Sequence, residues 1–349
     1  MRNPLAAHPP WRQLLIVSVA LPVIAVAAVL AFAWPAARVQ PRDVPIGIVG
    51  ASPATEQVAR GLDGAERGAF DLTLYPDAAS ARAAILDRQV YGAFAVAPGQ
   101  VDVLEASAAA PAVAQALTAA GDALAARTGA TEQVSDIVAL PAADPRGQVF
   151  ASALLPLTIC SIVLAAAVGI VVRVRPAWRQ LVALTVVAAV AGAGTYLIAQ
   201  PFLGALPHGA VGDWGALSLT VLALAAGTAG FVALFGAAGL GLAAALFVFV
   251  GNAFSAVTSA PELLPGAVDH LGQWLPPGAG ASLLRSTAYF GGHAASGHLA
   301  ILVAWIAFGA VAVVVGHHAP IRFAASRPIP GAAHAAAVPD ESMAGTAAV

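Results

Sequence analysis

Lysine is absent: all 16 basic residues are arginine. A P-loop needs its lysine to reach the β- and γ-phosphates, so the chain cannot itself be a conventional P-loop ATPase. Any ATP hydrolysis must come from a partner. Cysteine is nearly absent too. Cys160 stands alone inside an apolar run, which excludes a disulfide framework or a cysteine metal site within one chain. Charge is scarce, at 10% of residues, where a soluble domain carries about 25%. The net charge of −2 gives no basic excess, and no nucleic-acid partner is expected. There is no G-x-S-x-G, and the histidines fall at segment boundaries or in tails. No active site, enzyme activity, cofactor or metal is expected.

What the chain has is apolar sequence. Hydrophobic residues make up 59% of its 349 residues and the mean hydropathy is +0.82. That balance describes a membrane protein. Heavy Ala, Gly, Pro and Arg usage without lysine suggests a GC-rich bacterial genome, and so a bacterial inner (plasma) membrane.

The first apolar run, 13–34, follows a short basic segment at 1–12 and is long enough to cross a hydrocarbon core of about 30 Å. Ala31-Phe32-Ala33 resembles a signal-peptide cleavage site, but the run exceeds the usual apolar stretch of about 7–15 residues. It is therefore expected to stay as an anchor. Most of the charge lies in 35–147, which reads as an α/β domain. VPIGIVG (44–50), FDLTLYP (70–76), YGAFAVAP (91–98) and VDVLEAS (101–107) read as strands. Residues 53–67, 77–89 and 111–128 read as helices, the second capped by Asp77. Strand–helix alternation implies right-handed crossovers in one small sheet.

The remaining apolar runs are 148–172, 180–200, 215–235, 238–257 and 299–316. With the first run they make six spans, the pair in 215–257 folding as a tight hairpin. Pro22 and Pro156 are expected to kink the first and second spans. Gly192, Gly194, Gly227, Gly230, Gly236 and Gly239 would let helices approach closely, at internal contacts or a dimer seam. Arginines in short loops set the orientation. Arg2 and Arg12, then Arg173, Arg175 and Arg179, then Arg322 and Arg327 all fall on one side of a six-span protein. Both termini are then cytoplasmic, the α/β domain is extracytoplasmic, and the Ala/Pro-rich tail at 317–349 is expected to be disordered.

Residues 259–298 are too polar and too rich in proline to cross a bilayer as a helix. Pro261, Pro265, Pro276 and Pro277 split the stretch into two short amphipathic pieces, near 263–274 and 279–290. Leu263, Leu264, Val268, Leu271 and Trp274 share one face of the first, and Tyr289 and Phe290 end the second. A re-entrant or interfacial helix pair fits this pattern.

Four residues here are candidates for a substrate pathway or gate. Glu262 is the acid closest to the fifth span; it either gates an exit or sits favourably at a helix N-terminus. Asp269, with His270, is placed to pair with Arg285 across the two short helices. Asn252 is a carboxamide deep in the fifth span, suited to an interhelical hydrogen bond or a pathway role. No predicted span holds an internal Asp, Glu or Arg, which argues against a self-sufficient proton antiporter. His293 and His298 have poor spacing for a metal.

One span, an external α/β domain, then five spans with a Pro-rich amphipathic break before the last: this architecture resembles the type-2 ABC exporter permease superfamily. Within it, the phage-infection-protein-like branch is the nearer likeness. VPIGIVG, FDLTLYP and SAPELLPG…LPPGAGASLLRSTAYFGG carry the resemblance, the last most specifically. It implies a membrane half that forms a homodimer or heterodimer and exports a substrate, driven by a separate ATP-binding subunit. The same likeness makes Arg173, Arg175 and Arg179 a cytoplasmic coupling loop. One departure stands out: that loop is only RVRPAWR (173–179), where such permeases carry a longer helical one. The competing expectation is a non-transporting envelope protein whose α/β domain binds an external partner.

Overall fold

A computed structural model describes residues 11–50, 55, 59–61, 68–171, 176–207, 209–266 and 268–318. After a long first helix, α1 (Trp11–Ala36), the chain builds a five-stranded sheet. Its strands are β1 (Val44–Val49), β2 (Phe70–Tyr75), β3 (Gly92–Ala97), β4 (Gln100–Glu105) and β5 (Thr131–Asp136), with α2 (Ala78–Leu86) and α3 (Pro111–Thr128) between them. The spatial order is β2-β1-β3-β4-β5, parallel except for the β3–β4 hairpin. That hairpin turns on Pro98-Gly99, with Gly99 at φ 78°. The proline fixes the first turn position and the glycine accepts the left-handed second.

Side chains alternate across the sheet. Val44, Ile46, Phe94, Val101 and Val103 bury against Val113 and Leu117 of α3, while Ala93 and Leu104 face Ala81, Ala84 and Ile85 of α2. Each large aliphatic group so buried stabilises the domain by about 1.5–3 kcal/mol. Asp77 caps α2, its Oδ1 accepting from Ser80 N at 2.8 Å. The expected helix at 53–67 lies outside the described residues except for Thr55 and 59–61.

The remaining helices are α4 (Gln148–Val171), α5 (Ala177–Leu197), α6 (Ala210–Phe235), α7 (Ala237–Ala244), α8 (Val268–Gln273), α9 (Pro276–Tyr289) and α10 (Ala295–His318). A π-helical turn, Ile198–Phe202, extends α5, and a π-helical stretch, Ala245–Asn252, extends α7. Five helices are long and apolar enough to cross a membrane: Leu14–Ala36, Ala151–Gly169, Ala177–Phe202, Ala210–Phe235 and Ala295–His318. The expected sixth span, 238–257, corresponds to Ala237–Asn252, which is apolar but shorter. At about 1.5 Å per residue it falls short of a hydrocarbon core of about 30 Å.

Packing centres on α6. Sixty-one per cent of its apolar window is buried, against none for α1. Gly236, at φ 61°, turns the chain between α6 and α7, and Gly239 passes so close to the Phe231 carbonyl that a Cβ would lie 2.0 Å from it. Gly309 of α10 rides on Ala226, and Gly230 on Gly309. Phe231 of α6 and Phe247 of the π-helical stretch pack with Trp305 and Phe308 of α10 in tilted and edge-on contacts, with centroids as near as 5.2 Å. Of the six glycines expected at close contacts, Gly194 and Gly236 are exceptions: a Cβ at either would meet nothing within 4 Å.

Candidate functional site

The polar stretch between α7 and α10 packs under the α/β domain. Helix α9 starts on Pro276-Pro277, where the missing N–H groups cost nothing. It stops at Gly291 and Gly292, both at positive φ, with Gly292 N–H bonding back to Ser286 O at 2.8 Å. Nearly its whole circumference is buried: α6, α10, α8 and the π-helical stretch pack around it, and the domain reaches it through Arg88 and around Tyr289 and Phe290.

Polar side chains fasten the two parts. Arg88 follows α2 in a left-handed conformation, φ 58°. Its guanidinium donates to Ser282 O at 3.2 Å and to Ser286 Oγ, and lies over the Phe290 ring at 5.4 Å. Tyr91 donates its hydroxyl proton to Glu262 Oε2 at 2.9 Å. His293 Nδ1 meets Asp87 Oδ1 at 2.7 Å. Arg42, on the segment after α1, donates to Leu264 O at 2.9 Å, and Gln40 N–H to Leu263 O at 3.1 Å. The domain therefore grips both ends of the stretch.

A second layer holds α9 from within. Arg285, 6% exposed, donates to Val257 O at 2.8 Å. Gln273 donates to Ser255 O at 3.0 Å and accepts from Ser282 Oγ at 2.7 Å. Thr287 donates to Asp213 Oδ1 at 2.7 Å, and Tyr289 to Ala205 O at 2.9 Å. Electrostatics follow the burial. Desolvation first, and then the Glu262 carboxylate, push the Tyr91 phenol upward. Burial lowers the Arg88 guanidinium, opposed by Tyr91 and Glu262. Burial and then Arg88 bring Arg285 down to about 10, leaving it cationic at neutral pH. Two buried cations close together are costly unless carbonyls and an acid compensate them, which is the role of Ser282, Val257 and Glu262.

The candidates from sequence divide sharply. Glu262 and Arg285 enter this cluster, Glu262 through Tyr91 and Arg285 through Val257 and its proximity to Arg88. Asn252 lies deeper, donating to Phe247 O at 3.0 Å and reached by Thr158 Oγ1 of α4 at 3.5 Å. It joins two helices at a π-helical end. The side chain of Asp269, and Arg173 and Arg175 of the expected coupling loop, lie outside the described residues. Arg179 is exposed, its guanidinium 5.4 Å from the Trp178 ring.

Sequence reasoning missed Arg88, Tyr91 and Asp213. The span expected at 215–235 starts at Ala210, which brings Asp213 into its first turn, fully buried. Gly209, at φ 87°, opens that turn, and an acid there suits the helix dipole. The span thus carries an internal acid where none was expected. Among the described residues no three metal-ligating side chains converge. The cluster holds two parts of the chain together; it has the chemistry of a latch.

In comparisons with known proteins, no family model, curated protein or solved structure matches the chain. Fold and site define its class directly: a multi-pass α-helical membrane protein with a small mixed α/β domain.

Proposed function

We propose that the chain is the permease-like membrane subunit of an export system, with ATP hydrolysis supplied by a separate subunit. In this reading Ala237–Asn252 and its flank complete six spans, both termini are cytoplasmic, and two subunits form a cleft. The 259–292 stretch is the outer gate. One observation carries it: Arg88 and Tyr91 tie the α/β domain to Ser286 within α9 and to Glu262 in the turn ahead of it. Movement of α9 must break those bonds or carry the domain with it, so the domain can report or control the state of the gate.

A second reading, a non-transporting envelope protein whose domain binds an external partner, draws support from the link between α4 and α5. Only residues 172–176 separate them, a short lever for an ATPase stroke. Affinity purification of tagged protein in mild detergent, with mass spectrometry of its companions, separates the two. Co-purification of a P-loop ATPase stimulated on reconstitution supports export. A preparation without one, repeated under crosslinking, overturns it.

A further inference from the structure

Two neighbouring helices are interrupted by proline, and a groove opens between them. Pro156 removes a ladder bond from α4, and Pro201 lies in the π turn that ends α5. The groove, of about 930 Å³, has Ala153, Pro156 and Cys160 on one wall and Thr195, Ile198 and Ala199 on the other. Ile159, Val190 and Leu197 are exposed beside it, so it opens on the apolar outer surface of the bundle. Its α4 wall is the first half of that helix, which follows the α/β domain directly. The groove therefore lies in the half of the bundle nearest the domain.

The groove does not end at the surface. Val149, Ala153, Leu157, Thr195 and Ala199 also line a narrower, more enclosed recess behind it. That recess reaches Leu217 and Thr220 of α6 and Gly280, Ala281 and Leu284 of α9, all buried and out of reach of lipid on the outer surface. At about 3.6 residues per turn, those three positions of α9 face away from Ser282 and Ser286, which Arg88 holds. Whatever fills the recess bears on α9 from the side opposite that contact.

The lining selects an occupant by what it lacks. Among the described residues no charged side chain lines either space. The hydroxyls there already donate within their own helices: Ser152 to Val149 O at 3.1 Å, Thr195 to Ala191 O at 2.9 Å and Thr220 to Ala216 O at 2.7 Å. Water would give up hydrogen bonds that these walls do not replace, and a void would forfeit the dispersion contacts of its lining. Hydrocarbon supplies those contacts and meets the opening from the bilayer. A helix of a second copy, about 10–12 Å across with its side chains, could cover the groove but not enter the recess. We propose that the groove binds one acyl chain of a lipid from the leaflet nearest the α/β domain. The chain's last carbons lie in the recess against α9, and its headgroup stays at the bilayer surface, unread by the protein. The proposal concerns binding alone and does not depend on the export reading.

The test uses the full chain in phosphatidylcholine nanodiscs doped with phosphatidylcholine that carries a diazirine at the end of one acyl chain. Irradiation, then peptide mapping by mass spectrometry, locates the labels. They are expected at Leu217, Ala281 or Leu284 in the recess, as well as at outward-facing residues such as Val303 of α10. Ala153→Phe and Ala199→Phe narrow the passage from opposite walls. Each should remove the recess labels and keep the label at Val303, with a cooperative melt retained. The same chain on phosphatidylglycerol should label the recess equally. Labels confined to outward-facing residues of the parent, recess labels that survive both substitutions in folded protein, or labelling that follows the headgroup overturns the site. The parent's label positions decide even where a filled variant does not fold. No ATPase is present, so failure here leaves the export reading standing.

Discussion

The Tyr91 hydroxyl donates to the Glu262 carboxylate at 2.9 Å, joining residues 171 positions apart. One stands at the start of β3 and the other between two apolar helices, so the bond measures directly whether the domain is seated. A hydrogen bond to a charged group contributes about 1.5–3 kcal/mol. Tyr91→Phe should therefore destabilise the folded protein by about that amount. With Glu262→Ala and the double variant, a cycle of unfolding free energies in detergent should give a coupling of about 1 kcal/mol or more. Strictly additive losses would mean that the two side chains do not work as a pair.

The contact between α6 and α10 predicts an asymmetry among glycines. At Gly309 a Cβ would stand 2.2 Å from the Ala226 carbonyl oxygen, whereas at Gly241 it would meet nothing within 4 Å. Gly309→Ala must push two helices apart and should cost about 1–3 kcal/mol. Gly241→Ala, in a helix interior, should be neutral or stabilising by up to about 1 kcal/mol. Melting temperatures of the two variants, compared in one detergent, decide it. Equal effects would remove close approach as the reason for Gly309.

The parts legible in sequence are those with a local period. Strands β1 to β4 announce themselves by alternation or by short β-branched runs, and the long helices by apolar length. Strand β5, TEQVSD, is an edge with polar or exposed groups along most of its length, so no apolar pattern marks it. The start of α6 was hidden because Asp213 and Gly209 read as loop residues, although both are favoured at a helix entry. At the site, Glu262 and Arg285 stood out as charges beside apolar runs. Their surroundings could not: Arg88 and Ser286 are 198 positions apart, and nothing local to either encodes the other. Local chemistry nominated residues, and only the fold chose their partners.

Asp144 gives a third test, at the joint between domain and bundle. It is 4% exposed, and its two carboxylate oxygens accept from Gln148 N at 2.7 Å and Val149 N at 3.0 Å. Those N–H groups begin α4 and have no partner inside the helix. Asp144→Ala leaves them without that partner in a partly buried place and should cost about 1–2 kcal/mol. Asp144→Asn keeps one acceptor oxygen and should recover part of the loss. Hydrogen exchange at Gln148 and Val149 would locate the effect, since fraying confined to α4's first turn is expected. Unchanged exchange there would refute the cap.

Glu132 supplies a pH test far from the latch. Its Oε1 is buried without a hydrogen-bond partner and lies where a Cβ on Gly121 would be. Burial first, and then the neighbouring Asp122, raise its carboxyl from the usual 4.5 to about 7. Between those two values the folded chain keeps a proton that the unfolded chain has released, so stability falls as pH rises through the window. Above it the penalty is fully present; below the unfolded value it is absent. Glu132→Gln removes the titration. The variant should therefore melt higher than the parent at about pH 8, and the difference should shrink toward zero near about pH 4. A gain of the same size at both pH values would show a packing effect in place of a buried charge.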